Sequence, residues 1–368
     1  MAPVRDIVIV CNNIDEAGGA QRWARSMGEL LGAEGHRVLL VGVAGVAEPH
    51  DFGDGFPYRT ALLHEKPVQV ARKRRAFRRL QEDGAARLSY LLAPLELENA
   101  VIICVQVFAM EWIAKADTHG IPVIGMSHES YAASMASSRG ARVKKLYSAL
   151  PRFVALTEQD ASDWTTKGGM NNTASMPNPL PFPATGGADG DAHVCVALGR
   201  LSQEKGFDLL LEAWSYVVKA RPETDWRLRI HGDGPERAAL EAQAGALGIA
   251  DSVSFEGSTN QVPEALRSGS VFVSASRAEG FPMTLLEAQA CGLPCVAFDC
   301  APGVREILQD GVLVSLGNTE AFAEQLGRLI DDPALRGTLA KAGLESVARY
   351  TPEVIARRWE RLFTLVHR

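Results

Sequence analysis

Short, continuous β-branched runs alternate with helical periods along almost the whole chain. Residues 6–10, 37–43, 100–105, 122–126 and 153–156 predict buried strands, and stretches such as 20–35 and 110–119 between them predict amphipathic helices. Residues 44–66 break the rhythm and are expected to form a loop. Strands that are apolar on both faces and alternate with helices belong to a parallel sheet covered on both sides. Around residues 178–191 prolines and glycines cluster without any apolar period, which predicts a linker over 179–192. A second series follows, with strands at 193–198, 226–231, 253–255, 271–274, 295–298 and 312–314. From Glu320 onward the pattern is helical only, interrupted by Pro333 and Pro352. The expected architecture is two doubly wound, Rossmann-like α/β domains, 1–178 and 193–350, facing across a cleft, with a final helical segment over 351–368. Ligands of such sheets bind beyond the carboxyl ends of the strands.

The composition supports this and narrows the partners. With 46% hydrophobic and 22% charged residues, 368 residues suffice for two ordered domains, and a net charge of −6 argues against a general nucleic-acid binder. Up to Ala184 there are 20 Lys and Arg against 19 Asp and Glu, and the remainder holds 18 against 25. The local basic excess is a run of six cations within residues 72–79, where Arg72, Arg75 and Arg79 share one helical face and Phe77 and Leu80 lie near another. Such a face suits an anionic membrane or a polyphosphate acceptor, although a solvated helix surface is the commoner role. Six cysteines are too few for a disulfide framework. Cys291, Cys295 and Cys300 span a predicted helix end and strand with no histidine near them, so no metal is expected. The chain enters a strand at once, without a signal-peptide pattern, and its longest apolar run, 101–110, is interrupted by Gln106 and falls short of the roughly 18 residues of a membrane span. A reduced, cytoplasmic protein is expected, with peripheral membrane contact through the basic run as its one route to a bilayer.

Residues 275–294 are richest in candidate chemistry. A strand is expected to end near Ser274, a polar turn carries Glu279, Gly280 and Phe281, and a helix begins about Pro282. Proline in a first helical turn loses little, because its N–H would be unpaired there. Open N–H groups of Met283, Thr284 and Leu285 would then face the strand ends as an anion site. Glu279 lies at the mouth of the turn, and Glu287, eight residues later, faces the same cleft. Singly, Glu279 would serve the helix dipole and Glu287 would be a solvated carboxylate; their spacing around the turn points to a site. At the end of the first strand of the second domain, Arg200 and Lys205 flank a flexible turn before a helix bearing Phe207, Leu210, Leu211 and Trp214. Two cations there suit a diphosphate, the guanidinium bridging two oxygens and the ammonium adding a point charge; the plain alternative is two surface cations.

Three weaker features join them. His231-Gly232-Asp233-Gly234-Pro235 follows another strand and is by itself only a turn that lets a ligand approach the backbone. In the first domain Ala17-Gly18-Gly19-Ala20 opens a helix after the first strand, without the spacing of a dinucleotide fingerprint. His128 stands just beyond the strand at 122–126, where an active-site side chain would be found.

Taken in order, Gly18-Gly19, His128, Arg200 with Lys205-Gly-Phe-Asp, Gly232-Asp233-Gly-Pro and Glu279-Gly280-Phe281 followed by Leu-Glu287-Ala resemble the retaining glycosyltransferases of family 4, which have the GT-B fold. The match is dense from 193 to about 307 and thin before it. Residues 279–299 look closest to the subgroup acting on bacterial surface polymers such as exopolysaccharide and teichoic acid. The resemblance implies a UDP-sugar donor, no separate cofactor, and an acceptor that is a polymer, a lipid-linked glycan or a small natural product held by the first domain. It places Arg200 and Lys205 on the donor diphosphate, Glu279 by the sugar hydroxyls, Glu287 on the ribose and His128 near the anomeric centre. It also implies that Gly18 and Gly19 touch the phosphate or the acceptor, that backbone around 260–262, including Val262, grips the base, and that the last helix crosses back to the first domain. Two departures stand out: Pro282 where relatives often have glycine, and a shortened turn at 310–314.

Breaking an anomeric C–O bond to a nucleoside diphosphate builds negative charge on the leaving phosphate. Arg200, Lys205 and helix N–H groups would stabilise that charge without a metal. With no evident carboxylate nucleophile, front-face attack is expected, the leaving phosphate taking the acceptor's proton. The competing readings are a nucleotide-sugar epimerase, for which a second acid–base set is missing, and a non-catalytic nucleotide-sugar-binding partner subunit.

Overall fold

Runs such as DIVIVC and AVIIC have no polar face to turn to water, so they stabilise the chain only inside a sheet covered on both sides. The structure, a computed structural model, describes residues 3–16, 18–53, 55–68 and 74–367. The first half contains β1 (Asp6–Cys11), α1 (Gly19–Ala33), β2 (Arg37–Ala44), β3 (Tyr58–His64), α2 (Arg74–Leu92), β4 (Ala100–Cys104), α3 (Val107–Ile113), β5 (Val123–Ser127), α4 (Tyr131–Met135), α5 (Arg139–Tyr147), β6 (Arg152–Ala155), α6 (Glu158–Thr166) and β7 (Thr173–Ser175). After it come β8 (Val194–Leu198), α7 (Phe207–Ala220), β9 (Arg227–His231), α8 (Arg237–Ala246), β10 (Val253–Gly257), α9 (Val262–Arg267), β11 (Val271–Ser274), α10 (Met283–Ala290), β12 (Cys295–Asp299), α11 (Pro302–Ile307), β13 (Val312–Ser315), α12 (Thr319–Asp331), α13 (Pro333–Ser346) and α14 (Pro352–Val366). They form two units, one of residues 1–178 with 352–368 and one of residues 179–351.

The first unit is a seven-stranded parallel sheet in the order β3-β2-β1-β4-β5-β6-β7. Trp112, Tyr147, Phe153 and Trp164 are fully buried against it. The stretch expected as a loop contains β3, an edge strand whose exposed Arg59 and Thr60 dilute its apolar signal. The helix expected from Met110 begins at Val107, because the Asn12 side chain accepts a hydrogen bond from the Ala109 N–H at 3.1 Å. The last helix, α14, belongs to this unit: its Trp359 is fully buried and packs on Trp23 at 6.0 Å. Its Glu360 lies 2.8 Å from His36 Nε2, and Arg358 donates to the Ser175 carbonyl.

The second unit is a six-stranded parallel sheet in the order β10-β9-β8-β11-β12-β13. Its core gathers Leu211, Trp214, Phe298, Phe322 and Leu326. Residues 179–192 are hydrogen-bonded to this unit rather than loose: Gly186 N–H donates to Ala290 O, Ala188 N–H to Cys291 O, and Arg336 to Gly190 O, all at 3.0 Å. Among the described residues no helix is long and apolar enough to cross a membrane.

Candidate functional site

In each sheet the strand order reverses once, between β1 and β4 and between β8 and β11, so the loops leaving those strands diverge and open a crevice. In the second unit the loops after β8 and β11 carry Lys205 and Glu279. Lys205 ends a 3-10 turn, Gln203–Lys205, closed by Gly206 in the left-handed region at φ 64°. A Cβ on Gly206 would stand 2.0 Å from the Ala275 carbonyl oxygen, so only glycine lets the two loops lie together. Across this contact Lys205 Nζ donates to Glu279 Oε1 at 2.7 Å, and Ser276 Oγ donates to the same oxygen at 2.7 Å. The Glu279 side chain is 10% exposed and that of Lys205 27%.

Arg277 braces the pair. Its backbone N–H donates to Glu204 O at 2.8 Å, its guanidinium donates to Gln203 O at 3.0 Å, and two further bonds of 2.6 Å reach both carboxylate oxygens of Asp208. That fork holds the Asp208 carboxyl below its usual pKa. Ser276, Arg277 and Asp208 were not among the candidates read from the sequence; an arginine two residues before the glutamate and an aspartate three after the lysine were the only signal.

Arg200 is exposed, and among the described residues its guanidinium makes no hydrogen bond or ion pair. It and Lys205 both act on Glu204, whose carboxyl is held low chiefly by a hydrogen bond from Ser202. Cys300, after β12, sits in the same field: burial first, then the Glu279 carboxylate, pushes its thiol up to about 12. It is a neutral neighbour at physiological pH.

The remaining candidates of this unit frame these loops. Gly232 N–H donates to Gly257 O at 2.8 Å, and a Cβ on Gly232 would fall 1.8 Å from the Gly199 carbonyl oxygen. Asp233 is exposed, its carboxylate accepting from Gly234 N–H at 2.7 Å and its carbonyl from Leu201 N–H at 2.9 Å. Val262 is half-buried at the start of α9. Gly280 lies in the turn, but Phe281 is a core side chain, 6% exposed with its ring 5.5 Å from that of Tyr350. Its side chain is therefore unavailable to a ligand, and only its backbone remains. Pro282 caps α10 instead of opening it, and Leu285 N–H donates to Pro282 O at 3.1 Å. The expected open N–H of Leu285 is thus used in the helix's own first turn. Met283, Thr284 and Glu287 are half-buried on α10.

In the first unit Gly18 is the N-cap of α1, with no side-chain cap, and the space beside Gly19 is open; Ala17 lies outside the described residues. His128 follows β5 directly. Its ring stands edge-on to Trp23 at 5.1 Å, and its buried Nε2 has no hydrogen-bond partner among the described residues. Burial brings its pKa down to about 4, so the imidazole is neutral at physiological pH. His128 borders a cavity of about 240 Å³ together with Asn12, Gln106, Arg139 and Arg142. The two arginines are paired, Arg139 with Glu129 and Arg142 with Glu111.

Of the basic run, Arg72 and Lys73 lie outside the described residues, as does the side chain of Arg74. Arg75 and Arg79 are exposed and Arg78 pairs with Glu82 at 3.0 Å, while Phe77 and Leu80 pack against the core of the first unit. The described part of α2 therefore offers a solvated basic face with its apolar side already used. Among the described residues no group of three or more His, Cys, Asp or Glu side chains could hold a metal ion.

Residues 192–332 match the family described as "Glycosyl transferases group 1". An uncharacterized glycosyltransferase of Haemophilus influenzae is 28% identical over 358 residues, covering 95% of this chain and 97% of that protein. The amylovoran biosynthesis glycosyltransferase AmsD of Erwinia amylovora is 27% identical, covering 96% and 98%. Among solved structures, Anabaena HepE in complex with UDP and glucose superposes over 98% of this chain and 99% of its own with a TM-score of 0.78 at 17% identity, a likeness of fold. The chain thus has the GT-B fold of two Rossmann-like parallel sheets, and its residues 192–332 are similar to the group 1 glycosyl transferases.

Proposed function

We propose that this protein is a glycosyltransferase that moves a hexosyl group from a UDP-sugar to an acceptor hydroxyl with retention at the anomeric carbon. The observation that carries the reading is the Lys205–Glu279 pair, brought to 2.7 Å from 74 residues apart where the β8 and β11 loops leave the reversal of the sheet. An ammonium has three donors, and one bond to Glu279 leaves the others for diphosphate oxygens. Arg200 adds an unpaired guanidinium fork, the geometry that matches phosphate. As the anomeric C–O bond breaks, the electron pair passes to the departing UDP, whose growing charge meets these fixed cations. The acceptor oxygen forms the new C–O bond from the same face and gives its proton to the leaving phosphate. Preorganised charge of this kind is worth about two to three orders of magnitude per donor.

In this reading both hydrogen bonds on Glu279 fall on Oε1, so Oε2 serves a sugar hydroxyl. Glu287 holds the ribose, and the backbone of Gly280, Phe281, Met283 and Thr284 lies toward the sugar and phosphates. Gly232 and Asp233 border the donor, and the base lies against backbone near Val262. Gly18 and Gly19 face the phosphate or acceptor. His128, kept neutral, hydrogen-bonds the transferred sugar without opposing its developing positive charge. The UDP and glucose of the HepE complex favour a UDP-hexose donor, and the resemblance of residues 279–299 to transferases acting on bacterial surface polymers favours a bacterial surface glycan as acceptor. Incubation with a panel of UDP-sugars should release UDP, faster with an acceptor, and NMR of the product should show the donor's own anomeric configuration. No UDP release from any UDP-sugar rejects the donor class, and an inverted product rejects retention.

A further inference from the structure

At the other end of the first sheet lies a groove that the transfer chemistry does not use. Asp6, Arg37 and Tyr58 are the first residues of β1, β2 and β3, and they line a cavity of about 1100 Å³ with Phe56, Arg59 and Tyr90. Phe56 and Tyr58 stack nearly parallel, at 5.0 Å and 11°. This wall is held rigidly: Arg25 donates to Tyr58 Oη at 3.1 Å and spreads over Phe52 at 3.9 Å, while Tyr58 lies against α1 where Gly28 leaves room for its ring. The opposite wall carries Tyr90 on α2, which is 81% exposed, the most exposed large side chain among the described apolar and aromatic residues. On the floor Arg37 binds both oxygens of Asp6 at 2.6 Å, and Arg59 is exposed at the rim.

From these features we infer that the groove is a second carbohydrate site, taking a run of hexopyranose units of the acceptor glycan away from the transfer centre. The inference rests on the proposed transfer to a glycan. The exposed Tyr90 ring, unlike Phe56 and Tyr58 whose faces stack on each other, offers its negative face to the C–H-rich face of a pyranose, and its hydroxyl adds a polar edge. The already paired Asp6 and Arg37 present oxygens and N–H groups to sugar hydroxyls with little net charge, which disfavours a polyanion as the main occupant. The groove also lacks what a nucleotide needs, since it sits at strand amino ends, away from helix N-termini. An acyl chain would need a continuous apolar lining, which the Asp6–Arg37 pair interrupts. Asp6 begins β1, and Asn12, just past its end, borders the His128 cavity. The two sites are thus about 20 Å apart along one strand, a span that a chain of several sugars bridges. Holding such a chain at two points raises the effective concentration of its end.

The test is saturation-transfer NMR and calorimetry of the protein with the neutral hexasaccharides maltohexaose, cellohexaose and laminarihexaose, alongside Tyr90→Ala and Arg59→Ala. Both side chains are exposed, so the variants should fold. Binding of at least one hexasaccharide, weakened about tenfold by Tyr90→Ala while UDP release without acceptor stays unchanged, is the expected result. Absence of binding across the panel, or binding that Tyr90→Ala and Arg59→Ala leave intact, overturns the groove. Tyr90-dependent binding to anionic phospholipid vesicles without glycan binding also overturns it. Tyr90-dependent glycan binding with no UDP release from any UDP-sugar would overturn the transfer reaction and leave the groove standing.

Discussion

Arg200 and Lys205 carry the same charge but leave different things behind when removed. Arg200 is exposed and unpaired, so Arg200→Ala should leave thermal stability unchanged while transfer falls about a hundredfold. Lys205→Ala strips the cation from a carboxylate that is only 10% exposed, and should cost about 1–3 kcal/mol of stability as well as the activity. Calorimetry beside UDP release separates the two effects; equal destabilisation by both variants would refute the difference in burial. His128 makes a prediction of another kind. Its pKa lies near 4 in the folded protein against an ordinary 6.5, because burial disfavours the imidazolium. Between those values the unfolded chain binds the extra proton, so stability is complete above about pH 6.5 and declines as the pH falls toward 4. His64 and His231 are shifted the same way by burial, so His128→Asn should make that decline shallower without abolishing it. Denaturant midpoints measured from pH 4 to 7 test this, and parallel profiles for the two proteins would reject the shift.

At the scale of elements, the β8 and β11 loops act as one body because Arg277 ties them. Arg277→Ala should lower kcat about tenfold and raise the donor KM, although Arg277 faces Asp208 and backbone carbonyls and not the transfer centre. The Arg277→Asp, Asp208→Arg double variant should recover part of the loss, and a double variant no better than the singles would argue that the fork does not position Lys205. This brace also shows where the sequence stops being legible. Parallel strands of the inner sheet announce themselves, since each must be apolar on both faces, and Lys205 and Glu279 stand out as charges at strand ends. The edge strand β3 does not, because Arg59 and Thr60 face water, and β7 is too short for any period. Arg277 and Asp208 meet across 69 residues, and nothing local distinguishes them from solvated charges. Phe281 misleads in the opposite direction: it stands in the candidate turn, yet Tyr350 claims its ring.

On the scale of the whole molecule, the chain leaves its first unit at residue 178 and re-enters it at 352, so that unit is completed only by α14. Ile355, Trp359 and Phe363 of α14 are fully buried there. Burying each such side chain contributes about 1.5–3 kcal/mol, and three together approach the whole stability of a typical domain. Removal of α14 also strips the Glu360 partner from His36 and leaves Trp23, which packs against His128, without Trp359. The second unit keeps its own core around Trp214, Phe298 and Phe322, with no residue of α14 in it. A chain ending at Thr351 should therefore lose amide-exchange protection in β1, β2 and β4 while β8, β11 and β12 remain protected. It should also lose transfer to acceptor more completely than it loses UDP binding, because the proposed donor residues Arg200, Lys205 and Glu279 all lie in the unit that survives. Undiminished protection in β1 of the shortened chain would mean that the first sheet stands without its final helix.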